Sequence, residues 1–121
     1  MAVDPTAETI RSFVEEDDGG PAVMLNLLRF AGEEGRVSYG QYGARVQPLL
    51  EGVGATVIYA GDCSRTLVAP AAHRWDAMVV VRYPSRSAFL QLVGDPAYQA
   101  ISHLRTEALE EAVLEATIPW G

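Results

Sequence analysis

Apolar positions along this chain change period several times, and each change marks an element. After Pro5 and Thr6, Ile10, Phe13 and Val14 recur at helical spacing, and Asp17, Asp18, Gly19 and Gly20 end the run, so a short amphipathic helix is expected over about 5–17. Residues 21–30 are apolar at almost every position, on both faces of a strand, so both faces need covering. Residues 31–37 read as a loop. Ser38 is a good N-cap for a second helix with Tyr39, Tyr42, Val46, Leu49, Leu50 and Val53 on one stripe, kinked at Pro48 and stopped by Gly52 and Gly54. Strands are expected over 55–62 and 74–83, joined by a polar, Pro-containing connection over 63–73. The second of these is again apolar on both faces in its middle. Pro84 and Ser85 open a third helix carrying Ala88, Phe89, Leu92 and Val93. Gly94, Asp95 and Pro96 break it, and a further helical segment runs from about 96 to 105 with Tyr98, Ile101 and Leu104 on one side. Alternation over 109–118 predicts a last strand.

After the first helix the order is β-α-β-β-α-β, the split βαβ motif of an α+β ferredoxin-like fold with a four-stranded antiparallel sheet. The expected organisation is one domain over 1–121, with the helix at 5–17 leading into a core at 21–118. In this topology the helices cover one face of the sheet. The economical cover for the other is a second copy, so a homodimer stacked sheet to sheet is expected, a dimeric α+β barrel.

Composition narrows the partners. The 121 residues carry a formal net charge of −7, which disfavours nucleic acid and anionic membrane surfaces. Cys63 is the single cysteine. It cannot form an internal disulfide, which fits a reducing cytoplasm, and reads as a small filler near a strand end rather than a nucleophile. The first twenty residues hold Asp4, Glu8, Arg11 and an acidic run, so no signal peptide is expected, and no apolar run approaches the length of a bilayer span.

Few residues break the apolar pattern in a way that suggests chemistry. Asn26 interrupts the most apolar strand on the face of Met24, Leu28 and Phe30, where an amide needs a structural partner or a ligand. Arg29 and Arg82 stand at opposite strand ends, each either holding an anion or laying its stem over the core. Tyr98, Ser102 and Arg105 share a helical face. Arg105 is expected to pair with a carboxylate such as Asp76 or Glu115, or to bind a substrate anion. His73, just before Trp75 and Asp76, is the candidate general base, because imidazole titrates near neutral pH. His103 is rotated away from Tyr98. Two His thirty residues apart, without clustered Cys, do not make a metal site. No glycine-rich phosphate loop or nucleophile elbow is present.

The runs Val23–Phe30 and Gly54–Gly61, the helix with Tyr39 and Tyr42, the Trp75-Asp76 pair, the Tyr83-Pro84-Ser85-Arg86 turn, and Asp95–Gln99 with Arg105 together resemble the domain of unknown function 1330 family, within the dimeric α+β barrel superfamily. The resemblance spans about residues 21–118. It implies a ferredoxin-like subunit whose dimer closes two sheets into a barrel. The wider superfamily includes cofactor-free quinone-forming monooxygenases, muconolactone isomerase-like enzymes and haem-binding proteins. A haem enzyme of this kind needs a His on the helix face toward the cleft, and here that face carries Ser102.

The functional expectation is a small-molecule enzyme without metal, haem or other cofactor, acting as isomerase, cyclase or monooxygenase on an oxidised aromatic, lactone or related carbonyl compound. Asn26, Arg105 and His73 are its candidate catalytic residues, and Tyr39, Tyr42, Trp75, Tyr98 and Arg29 its candidate substrate contacts. The alternatives are a non-catalytic small-molecule-binding protein and a structural dimer.

Overall fold

The computed structural model describes residues 3–71 and 73–121. Helix α1 (Ala7–Glu15) precedes strand β1 (Ala22–Phe30), helix α2 (Gly32–Gly52), strands β2 (Thr56–Asp62) and β3 (Ala77–Tyr83), helices α3 (Arg86–Gly94), α4 (Pro96–Gln99) and α5 (Ser102–Ala108), and strand β4 (Leu109–Thr117). The strands form one antiparallel sheet in the order β2-β3-β1-β4. This is the α+β split βαβ architecture that the pattern predicts.

Burial alternates strictly along β1. Ala22, Met24, Asn26 and Leu28 are buried, while Val23, Leu25 and Leu27 are half-buried. Ala22 and Met24 pack with Tyr42, Val46 and Leu50 of α2 and Ala88, Phe89 and Leu92 of α3, and Leu28 packs with Ala77, Ala108 and Leu109. The helices therefore lie on the even-numbered face of β1. Register places Leu25 between Val80 and Glu115, and Leu27 between Met78 and Val113, on the opposite face. No helix among the described residues is long and apolar enough to cross a membrane.

Three boundaries differ from those predicted, each for a local reason. Helix α2 begins at Gly32, not Ser38. Gly32 has φ +67°, a left-handed turn into the helix, and Gly35 packs so closely on α5 that a Cβ there would lie 2.4 Å from the Ala108 carbonyl oxygen. The glycines that read as loop serve a tight turn and a close helix contact. Ser38 caps nothing; its Oγ donates to the Leu104 carbonyl at 2.8 Å and ties α2 to α5. Strand β3 begins at Ala77, not Arg74, because Asp76 turns inward at its start. The Asp76 amide donates to Leu28 O and its Oδ2 accepts from Phe30 N, both at 2.8–2.9 Å. The segment expected as one helix over 96–105 is two. Asp95 caps α4, and Ile101, at φ −113°, separates it from α5, which continues to Ala108. Pro48 does not end α2; it sits on the exposed side, and the helix runs on to Gly52. Within the connection expected over 63–73, Ala72 lies outside the described residues, as do Met1 and Ala2.

Helix α1 is amphipathic but buries no residue fully. It is held at one end by Phe13, edge-on to Phe89 at 5.8 Å, with the Arg86 guanidinium over the Phe13 ring and donating to the Phe13 carbonyl. At the other end the segment before it is held through Val3 and Asp4.

Candidate functional site

A cavity of about 510 Å³ opens between the helix-bearing face of the sheet and the helices. Strand β1 gives it Met24 and Asn26, β3 gives Val79 and Val81, and β4 gives Leu114. Helix α2 contributes Tyr39, Tyr42, Val46 and Leu50, α3 contributes Phe89 and Leu92, and the α4–α5 region contributes Tyr98, Ser102 and Arg105. The N-terminal segment adds Asp4, Pro5 and Ile10. The volume suits a drug-sized organic molecule.

Asn26 is 9% exposed, and its Nδ2 donates to the Val79 carbonyl at 3.3 Å across the β1–β3 pair. A carbonyl can only accept, so this contact fixes which way the amide faces. Its Oδ1 accepts no hydrogen bond from the described residues. The buried amide thus has one structural bond and one free acceptor on the cavity wall.

Arg105 is 7% exposed and sits in the last turn of α5. Its Nη1 donates to Val3 O at 2.5 Å and to Asp4 Oδ1 at 3.3 Å. Nη2 is buried without a hydrogen-bond partner among the described residues. The carboxylate that it meets is Asp4, not Asp76 or Glu115. Asp76 caps β1 and β3, and Glu115 faces Leu25 on the far side of the sheet. Thr106 also donates to Asp4, at 3.1 Å to Oδ2. No sequence signal marks Asp4: it follows the apolar residues Met1, Ala2 and Val3 and precedes Pro5, and only the tertiary fold brings it to α5.

The Tyr42 and Tyr98 hydroxyls share a hydrogen bond at 3.0 Å, and Tyr39 packs on Tyr42 with ring centroids 5.4 Å apart. Burial pushes the Tyr39, Tyr42 and Tyr83 phenols above their ordinary value of 10.0, and the neighbouring Tyr98 adds to this at all three. The Arg105 charge pulls each back partway. The phenols stay protonated at neutral pH and serve as hydrogen-bond donors.

The fold thus gathers five of the eight candidate residues, Asn26, Tyr39, Tyr42, Tyr98 and Arg105, around one cavity. It places His73, Trp75 and Arg29 elsewhere. Arg29 is odd-numbered in β1 and so emerges on the face without helices. There it pairs with Glu111 at 2.5 Å, donates to Arg74 O at 2.9 Å and stacks over Trp75 at 4.9 Å. His73 is exposed and edge-on to Trp75 at 6.3 Å. Asp76, by turning inward, leaves Trp75 and His73 on the connection before β3, away from the cavity. His103 is also exposed. Cys63 is exposed one residue past β2, so it fills no core space.

Comparison with known proteins agrees with the fold. The model of the family described as domain of unknown function (DUF1330) matches residues 34–116. A solved structure of a Rhodopseudomonas palustris protein of unknown function is 32% identical, with a TM-score of 0.90 over 98% of this chain and 97% of that one. A hydroxynitrile lyase from Passiflora edulis is 14% identical with a TM-score of 0.66, over 85% of this chain and 97% of that one. A dimeric ferredoxin-like protein of unknown function from Jannaschia sp. is 10% identical with a TM-score of 0.64, over 83% of this chain and all of that one. These last two share the fold alone. No protein of curated function matches the chain. With a family model covering most of its length and a relative of nearly the same extent at 32% identity, the chain belongs to the DUF1330 family.

Proposed function

We propose that the protein is a small-molecule enzyme that acts without metal or haem on an oxidised aromatic, lactone or related carbonyl compound held between the sheet and its helices. The observation that carries this reading is the meeting of Asn26, Arg105 and the Tyr42–Tyr98 pair in one largely apolar cavity. Phenol hydroxyls and a guanidinium in a largely apolar pocket stabilise an oxygen that gains negative charge, which favours enolisation, ring closure or attack on a conjugated carbonyl. Among the described residues the wall carries no imidazole and no thiol, and no group of three or more His, Cys, Asp or Glu is placed to hold a metal ion. The hydroxynitrile lyase likeness adds only that this fold can house carbonyl chemistry. His73 has no part in the reading.

A homodimer belongs to the same proposal. Val23, Leu25, Leu27, Met78, Val80 and Val113 form a half-buried apolar face without helices, and a second copy stacked there covers it. The Jannaschia protein with this fold is described as dimeric. The single cysteine supports a cytoplasmic setting.

The test is turnover of a panel of quinones, lactones and cyclic enones, followed by mass spectrometry, with wild type beside Asn26→Leu. Conversion by wild type, lost in a variant that melts normally, is expected. Binding without conversion by wild type would instead assign the cavity to a non-catalytic binding protein.

A further inference from the structure

We propose that the cavity takes an aromatic monocarboxylate, with its carboxylate on the Nε–Nη2 edge of Arg105, and that Asp4 is an internal carboxylate competing for the same guanidinium. The proposal rests on the reading of the cavity as a small-molecule site and names the class of molecule.

A guanidinium offers five N–H donors on fixed edges. In Arg105 the Nη1 corner is taken by Val3 O and Asp4 Oδ1. Neither Nε nor Nη2 has an acceptor among the described residues, and Nη2 is buried. Together these two atoms form the side-on edge that matches both oxygens of a carboxylate. The surrounding hydroxyls have the same imbalance. Tyr42 and Tyr98 share one hydrogen bond, so one of their two hydroxyl protons is spare, and Tyr39 makes no hydrogen bond among the described residues. Against these donors stand Asn26 Oδ1, the side chains of Gln47 and Ser102 and the hydroxyl oxygens themselves, all neutral acceptors. The unpaired Nε–Nη2 edge shares the guanidinium charge, and an anion is the acceptor that matches it.

Charge sets the valence. Among the described residues Arg105 is the only cation on the wall, and Asp4 the only anion. A second full charge on the ligand would have no partner, which disfavours phosphates and dicarboxylates. The body of the ligand is set by the rest of the lining: the Tyr39, Tyr42, Tyr83, Tyr98 and Phe89 rings and aliphatic side chains. Asp4 holds Arg105 loosely, at 3.3 Å through one oxygen, and its side chain is half exposed while that of Arg105 is 8% exposed. A ligand carboxylate deeper in the cavity meets less solvent screening than Asp4 does.

Calorimetric titration of the full-length protein with sodium 1-naphthoate and with 1-naphthamide tests this. The two share a body and differ in charge. Naphthoate is expected to bind at least tenfold more tightly. Asp4→Asn keeps an acceptor for Thr106 and removes the competing charge, so the naphthoate preference should rise severalfold. Arg105→Lys keeps the charge and loses the fork, so the preference should fall. Equal affinity for the two probes would overturn the anion seat and leave the small-molecule reading standing. Binding of neither would overturn both. A naphthoate preference that falls in Asp4→Asn would show that Asp4 supports the seat and does not compete for it.

Discussion

Asp4 and Arg105 lie 101 positions apart in the chain and meet at 3.3 Å on the cavity wall. The contact ties the N-terminal segment to α5, with Val3 O on the same guanidinium nitrogen and Thr106 on the same carboxylate. A segment whose helix buries no residue fully is thereby held over a cavity that it helps to line. Removing residues 3–16 is expected to leave a folded sheet with a wider cavity mouth and a weakened small-molecule affinity. Titration of the truncated chain checks this, and unchanged affinity would show that the segment is not part of the site.

Asn26 separates stability from function. Its one bond to Val79 O is long, at 3.3 Å, and Leu has the same branched outline, with the cavity beside it to take its larger methyl groups. Asn26→Leu should shift stability by no more than about 1 kcal/mol, roughly 3–6 °C in Tm, while abolishing ligand binding or turnover. A large fall in Tm with normal binding would make Asn26 a structural residue.

Two glycines of α2 give opposite expectations. Gly35→Ala drives a methyl to 2.4 Å from the Ala108 carbonyl oxygen and should cost about 1–3 kcal/mol. Gly40→Ala meets nothing within 4 Å and should stabilise the helix by about 1 kcal/mol. Urea melts of both variants decide whether the α2–α5 contact is as tight as it looks.

The buried phenols predict an alkaline instability. The Tyr39, Tyr42 and Tyr83 phenols have pKa values raised in the folded chain above the unfolded value of 10.0. Their contribution to stability is complete below pH 10. Above that the unfolded chain gives up its phenolic protons and the folded chain does not, so stability falls as pH rises through the folded values. Melts between pH 9 and 11 should show this slope, reduced in Tyr42→Phe. An unchanged slope in that variant would remove Tyr42 as a contributor.

The open sheet face predicts assembly. Light scattering should give about twice 13.1 kDa. Leu27→Glu, which puts a charge between Met78 and Val113, should give the monomer. Trp120 is fully exposed in the isolated chain and gives a fluorescence check if it approaches the partner. A monomeric wild type at micromolar concentration would show that the face is left open.

The order of strands and helices was legible because changes of period mark the elements: the apolar run of β1 reads as a strand covered on both faces, and Ser85 and Asp95 cap the helices that follow them. The start of α2 was not, since glycine's two uses, loop freedom and close packing, look alike in one dimension. Asn26, Arg105 and the tyrosines were legible as polar groups on apolar faces. That His73, Trp75 and Arg29 lie away from this cavity was not legible, because strand parity, which sends Arg29 to the other face, and the turn at Asp76 are set by register. Asp4 was invisible because its role comes entirely from a contact across nearly the whole chain.

The most direct measurement is an NMR titration of the labelled protein with sodium 1-naphthoate, following the Arg105 Nε–Hε, Asn26 side-chain amide and tyrosine ring signals. Saturable shifts concentrated on Asn26, Tyr42, Tyr98 and Arg105, with Arg29 and Trp75 unmoved, are predicted. Shifts confined to Arg29, Trp75 and the open sheet face, or no saturable shift at all, would contradict a small-molecule site between the sheet and its helices.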